Sequence, residues 1–123
     1  MITRHLSIAL GLIFLLVTGA VAQTAPPVLD PIGAKTTNEG VNLTFSPSAS
    51  DPDGDTPVMS ASTLPGTATY IDNGNGTGTF DWTPTFGDSG TYDVTFYAAD
   101  SAFPAVIDSE QVTITVTNVN QHP

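Results

Sequence analysis

Three carboxylates stand at alternate positions in Asp51-Pro52-Asp53-Gly54-Asp55. Calcium is a hard cation that takes ~6 to 8 oxygen ligands at ~2.3 to 2.6 Å. Alternate acids on a straight strand would share one face and repel. In a bent loop they can converge on one ion; Gly54 permits the bend and Pro52 stiffens the approach. Asp100 closes an alternating apolar run, Tyr92, Val94, Phe96 and Ala98. In a sandwich, the strand carrying that run can reach the same end as the loop. Asp51, Asp53 and Asp100 therefore form a coherent oxygen cluster, with Asp55 ranking behind Asp51 and Asp53. The same residue types also build an ordinary solvated turn in which Asp caps its own backbone. The loop is not an EF-hand, because it lacks a closing glutamate and flanking helices.

Other chemistries find little material. There is no cysteine, which excludes thiol catalysis and zinc–thiolate sites. His5 lies in the leader and His122 in the terminal tail, so no histidine can serve as a central base or complete a triad. The chain reads as non-enzymatic.

Residues 1–22 have the layout of a secretory signal peptide. A short polar start precedes an apolar stretch, and Ala20-Val21-Ala22 supplies a small-x-small cleavage site. The apolar stretch is ~12 residues, short of the ~20 that a spanning helix needs. Removing 22 of the 123 residues leaves 101, one domain over 23–123, with Lys35 as the sole Lys or Arg against 12 acidic residues, a formal charge of −11. That balance disfavours nucleic acid and anionic membrane surfaces, and favours cations as partners. No direct insertion in a membrane is expected after cleavage, and the location is secreted, extracellular or at the cell surface.

The elements that must position the acids are strands. Gly and Pro together number 21 and separate short β-rich runs. The runs are Val28–Ile32, interrupted by Pro31; Val41–Phe45; Val58–Thr63; Thr67–Ile71; Thr77–Thr83; Thr91–Ala99; and Gln111–Thr117. Residues 46–57 read as a polar loop. Asp72-Asn73-Gly74-Asn75-Gly76 reads as a tight hairpin turn. Phe80 and Trp82 share a face, as do Val112, Ile114 and Val116. Asp88-Ser89-Gly90-Thr91-Tyr92 places Tyr92 where its hydroxyl can return to upstream backbone, a tyrosine corner. The expected fold class is all-β, an immunoglobulin-like (cadherin-like) sandwich of about seven strands, with Trp82 as core volume.

Several phrases carry a family resemblance across the whole mature chain. They are Thr37-Asn38-Glu39-Gly40, Ser50-Asp51-Pro52-Asp53-Gly54-Asp55, Leu64-Pro65-Gly66, Gly78-Thr79-Phe80-Asp81-Trp82-Thr83-Pro84, Gly90-Thr91-Tyr92, Ala99-Asp100 and Asn118-Val119-Asn120. Together they resemble the immunoglobulin-like and dystroglycan-type cadherin-like repeats of bacterial surface and secreted proteins. The resemblance implies calcium (Ca2+) between successive modules. One module would supply Glu39, Asn118 and Asn120, and the next Asp51, Asp53 and Asp100, at opposite ends of the sandwich. The chain departs from the cadherin linker at Asn118 and Gln121, where that pattern has aspartate, and this lowers the ligand charge.

The functional expectation is a non-catalytic adhesion or spacer module with a neighbouring like module, or a cell-surface protein or glycan, as partner. A carbohydrate-binding module, using Tyr70, Tyr97 and Phe103 as a stacking platform, is the alternative. A third reading is self-assembly through sheet edges.

Overall fold

The computed structural model describes residues 25–120; the expected leader, 1–22, and residues 121–123 lie outside them. Nine strands follow in order: β1 (Val28–Leu29), β2 (Lys35–Asn38), β3 (Leu43–Phe45), β4 (Ala49–Ser50), β5 (Val58–Ala61), β6 (Thr69–Asp72), β7 (Gly78–Trp82), β8 (Gly90–Ala99) and β9 (Ile107–Thr117). A four-stranded sheet, β2-β9-β8-β5, packs on a three-stranded sheet, β3-β7-β6. β1 and β4 pair separately. β4 also stays tied to the β6–β7 hairpin, because the Ala49 amide donates to the Gly76 carbonyl and Ser48 bridges Thr77.

Alternation builds the core. β7 buries Phe80 and Trp82, β8 buries Val94, Phe96 and Ala98, and β9 buries Val112, Ile114 and Val116. Phe45 stacks on Phe80 with ring centroids 4.8 Å apart, and Phe96 meets both edge-on at 5.6 and 6.1 Å. Each fully buried ring of this kind contributes about 1.5–3 kcal/mol by transfer from water. Trp82 is core, as expected, and crosses Tyr92 at 88° with centroids 5.1 Å apart. The tyrosine corner forms: the Tyr92 hydroxyl donates to the Asp88 carbonyl at 2.7 Å. The hairpin turn forms too, with Gly74 and Gly76 at φ of 78° and 85°.

Several elements differ from expectation. The first strand ends at Leu29 and pairs antiparallel with β4, the chain crosses over at Pro31 to Gly33, and β2, where no strand is expected, runs parallel to β9. The expected loop 46–57 contains β4. β9 begins at Ile107 rather than Gln111 and pairs with β8 from Ala99↔Ile107 to Gly90↔Val116.

Candidate cation site

The end of the sandwich where β4 and β8 terminate gathers the acids. β4 delivers Asp51, β8 delivers Asp100, and the loop between β4 and β5 closes on Asp55. One oxygen of each of these three carboxylates lies within 4.8 Å of the others. Ligands on opposite sides of one calcium stand about 4.6–5.2 Å apart, so the set can close on a single ion.

Asp51 and Asp100 each have one oxygen in a hydrogen bond and one without a partner among the described residues. Asp51 Oδ1 accepts the Asp53 amide at 2.8 Å, and Gly54, at φ 88°, donates its amide to the Asp51 carbonyl. Asp100 Oδ1 accepts the amides of Ala102 and Phe103 at 2.8 and 3.1 Å. Among the described residues, the Oδ2 atoms of Asp51, Asp55 and Asp100 are all buried without a hydrogen-bond partner. Asp100 as a whole is 1 % exposed. Burying an unpaired carboxylate oxygen is costly, and three together compound it by repulsion. The strain shows at Asp51. The Asp53 amide is the largest single influence and favours the anion. Burial and the carboxylates of Asp100, Asp53 and Asp55 outweigh it and hold Asp51 above its ordinary value of 3.8. No side-chain cation of the described residues relieves the crowding: Lys35 is the only Lys or Arg among them, and its ammonium sits 4.9 Å from the centroid of the Phe45 ring. An all-oxygen set of this kind could hold a metal ion.

Asp53 faces elsewhere. Its Oδ2 accepts the Ala25 amide at 3.0 Å. The structure thus places Asp55, which the sequence ranked lower, with Asp51 and Asp100, and turns Asp53 toward the leading segment of the chain.

Glu39, Asn118 and Asn120 lie together at the opposite end, where β9 leaves the sandwich and β8 begins. β8 alone spans about 33 Å between the two ends at ~3.3 Å per residue. Glu39 is 3 % exposed, and its carboxylate is cradled by backbone: Oε1 accepts the amides of Gly87 and Ser89 at 3.0 Å, and Oε2 accepts Val119 at 2.9 Å. The Val119 bond is the main cause, with Gly87 and Ser89, of a pKa held below 4.5 against burial and the Asp88 charge. Three N–H groups already do for this anion what a cation would, so Glu39 fixes the exit of the chain.

Two acids that sequence reasoning passed over do similar work at the first end. Asp108 Oδ2 accepts the Leu29 amide at 2.8 Å, and the two oxygens of Glu110 accept the amides of Ile32 and Gly33 at 2.9 Å. The available signal was phase: Asp108 and Glu110 continue the inward parity of Val112, Ile114 and Val116.

The aromatic platform is not assembled as the alternative requires. Tyr70 turns inward, edge-on to Phe96 at 5.3 Å, and its buried hydroxyl is pushed up to about 12 by burial and by Asp72. Tyr97 is half-buried between Ser60 and Ser109, while Phe103 is exposed. The β5 edge is also obstructed for strand addition, since Asp72 Oδ2 already accepts the Met59 amide at 3.1 Å.

Comparison with known proteins places this geometry. The sequence matches the bacterial Ig domain family over residues 23–120. None of the curated proteins matches it in sequence. Among solved structures, titin domain M3 is similar with a TM-score of 0.55 at 18% identity, covering 77% of this chain and 100% of titin M3. The SrpA adhesin R347E mutant from Streptococcus sanguinis gives 0.61 at 15% identity, over 77% of this chain and 57% of the adhesin. An endo-fucoidan hydrolase of glycoside hydrolase family 107 gives 0.62 at 16% identity, over 79% of this chain but 14% of the hydrolase, a minor portion of that enzyme. These likenesses establish an immunoglobulin-like fold.

Proposed function

Because the chain belongs to the bacterial Ig domain family, we propose that it is a non-catalytic, extracellular adhesion or spacer module whose Asp51–Asp55–Asp100 end binds calcium. The observation that carries the cation reading is the trio of buried Oδ2 atoms without partners, on carboxylates whose oxygens converge within 4.8 Å. Asp51, Asp55 and Asp100 would hold the ion, which would neutralise the crowded acids and stiffen that end of the sandwich. The adhesion or spacer role is supported by the family and by the shared fold with an adhesin. It is also supported by the way the sandwich holds the segments that lead into and out of it, with Asp53 and Asp108 taking the Ala25 and Leu29 amides and Glu39 the Val119 amide. A module whose entering and leaving segments are fixed can act as a rigid spacer.

The test is a thermal melt in EDTA and in ~10 mM calcium. Extracellular calcium modules bind with Kd of ~10⁻⁴ to 10⁻³ M. At that concentration the linkage gain is about 1.4–2.7 kcal/mol, a rise in Tm of roughly 5–20 °C for a domain of this size. Asp100→Asn is expected to remove the rise. An unchanged Tm in the parent protein would refute the cation reading.

A further inference from the structure

We propose that the cation held by Asp51, Asp55 and Asp100 clamps the leading segment of the chain, Ala25–Leu29, onto the sandwich, with Asp53 as the connecting residue. This deepens the calcium reading above and rests on it.

The clamp follows from how one short loop divides its side chains. Asp51 and Asp55 point oxygens into the cluster, while Asp53, between them, points Oδ2 at the Ala25 amide at 3.0 Å. The loop is a single folded unit, because Asp51 Oδ1 takes the Asp53 amide and the Asp51 carbonyl takes the Gly54 amide. Its first residue, Asp51, directly follows β4, the strand that pairs with β1 through Val28↔Ser50 and Leu29↔Ala49. Pro27 is fully buried in this corner. Without an ion, the three carboxylates relieve their repulsion by spreading, and a loop that opens at Asp51 and Asp55 carries Asp53 away from Ala25. With an ion, Asp51 and Asp55 are drawn together against Asp100, and Asp53 is set in place. Ile32 and Gly33, further along, are held by Glu110 and do not depend on this loop. The coupling is therefore confined to the start of the segment. It is reciprocal: whatever orders Ala25–Leu29 tightens the ion by the same factor.

The experiment is residue-resolved amide hydrogen exchange on the protein, in calcium chloride and in sodium chloride of equal ionic strength, with calcium binding followed by calorimetry. The Ile32 and Gly33 amides report any general stabilisation. Calcium is expected to slow exchange at Ala25 about 10-fold more than at Ile32 and Gly33, within the 5–150-fold range of ordinary site coupling. In Asp53→Ala, calcium still binds, weakened by no more than about the same 10-fold factor, and the extra protection disappears. If calcium binds but Ala25 gains no more than Ile32 and Gly33, the clamp is wrong and the cation site stands. Extra protection that survives in Asp53→Ala also overturns the clamp. If calcium does not bind, the cation reading falls and takes the clamp with it.

Discussion

Replacing Gly78 with alanine perturbs the sandwich at a point where the cost can be read from contacts. A Cβ at Gly78 would stand 2.8 Å from Cε1 of Tyr70 and closer still to its hydroxyl end. Real Cβ atoms do not approach that near, and the neighbour is a ring seated edge-on to Phe96 at 5.3 Å, so the ring must leave. Ejecting it forfeits its packing. Full loss of a buried aromatic costs ~3–5 kcal/mol, and Tyr70 is half-buried, so about 2–4 kcal/mol is expected for Gly78→Ala. Tyr70→Ala alone should cost about 2–3 kcal/mol on the same basis. The double variant, in which the added methyl meets no ring, should lose less than the sum, with a coupling of about 1–3 kcal/mol. The assay is urea unfolding of the four proteins, combined with a spectrophotometric titration of tyrosine. The Tyr70 hydroxyl of the parent is expected to ionise at about 12, and Gly78→Ala should return it toward the ordinary value of 10.0 as the hydroxyl reaches water. Additive losses with an unmoved titration would refute the reasoning, since they would mean that Tyr70 does not occupy the space over Gly78.

Three further outcomes follow from the same contacts. Tyr92→Phe deletes the bond to the Asp88 carbonyl and should lower stability by about 1 kcal/mol in chemical denaturation, with an unchanged m-value. Glu39 has a folded pKa below 4.5, so its contribution is fully present above pH 4.5 and is lost as the pH falls through the lowered value; Glu39→Gln should flatten that acid limb in denaturation midpoints measured from pH 3 to 6. Asp55→Asn removes one of three crowded charges. By scanning calorimetry it should raise Tm in EDTA and abolish the response to calcium, whereas a fall in EDTA would mean the acids do not repel.

Much of the sandwich was legible because period-two burial writes itself into sequence. Phe80 and Trp82, Val94 through Ala98, and Val112 through Val116 could hardly face two ways, and the structure buries each set. What escaped were segments whose inward positions are polar. β2 is Lys-Thr-Thr-Asn, with Thr37 as its only buried side chain, and its parallel pairing with β9 is long-range backbone geometry that no local pattern announces. The first residues of β9, 107–110, were hidden because Asp108 and Glu110 occupy inward places where apolar residues are expected. Their carboxylates are satisfied by amides nearly 80 positions away in the chain. The candidate site was legible as a cluster but not in its membership. Asp51, Asp53 and Asp55 are indistinguishable by residue type, and the choice between ion and backbone is made by the turn at Gly54 and by where Ala25 passes. Glu39, Asn118 and Asn120 share one end of the sandwich, but the three amides that surround Glu39 come from loops whose course the sequence does not reveal.

The most direct test is a calorimetric titration of the metal-free protein with calcium, in parallel with Asp100→Asn. The parent is expected to take one ion per chain and the variant to give no binding heat, although its Oδ1 can still accept the Ala102 and Phe103 amides and so keep the corner folded. Equal heats for the two proteins, or none from the parent, would contradict the cation reading.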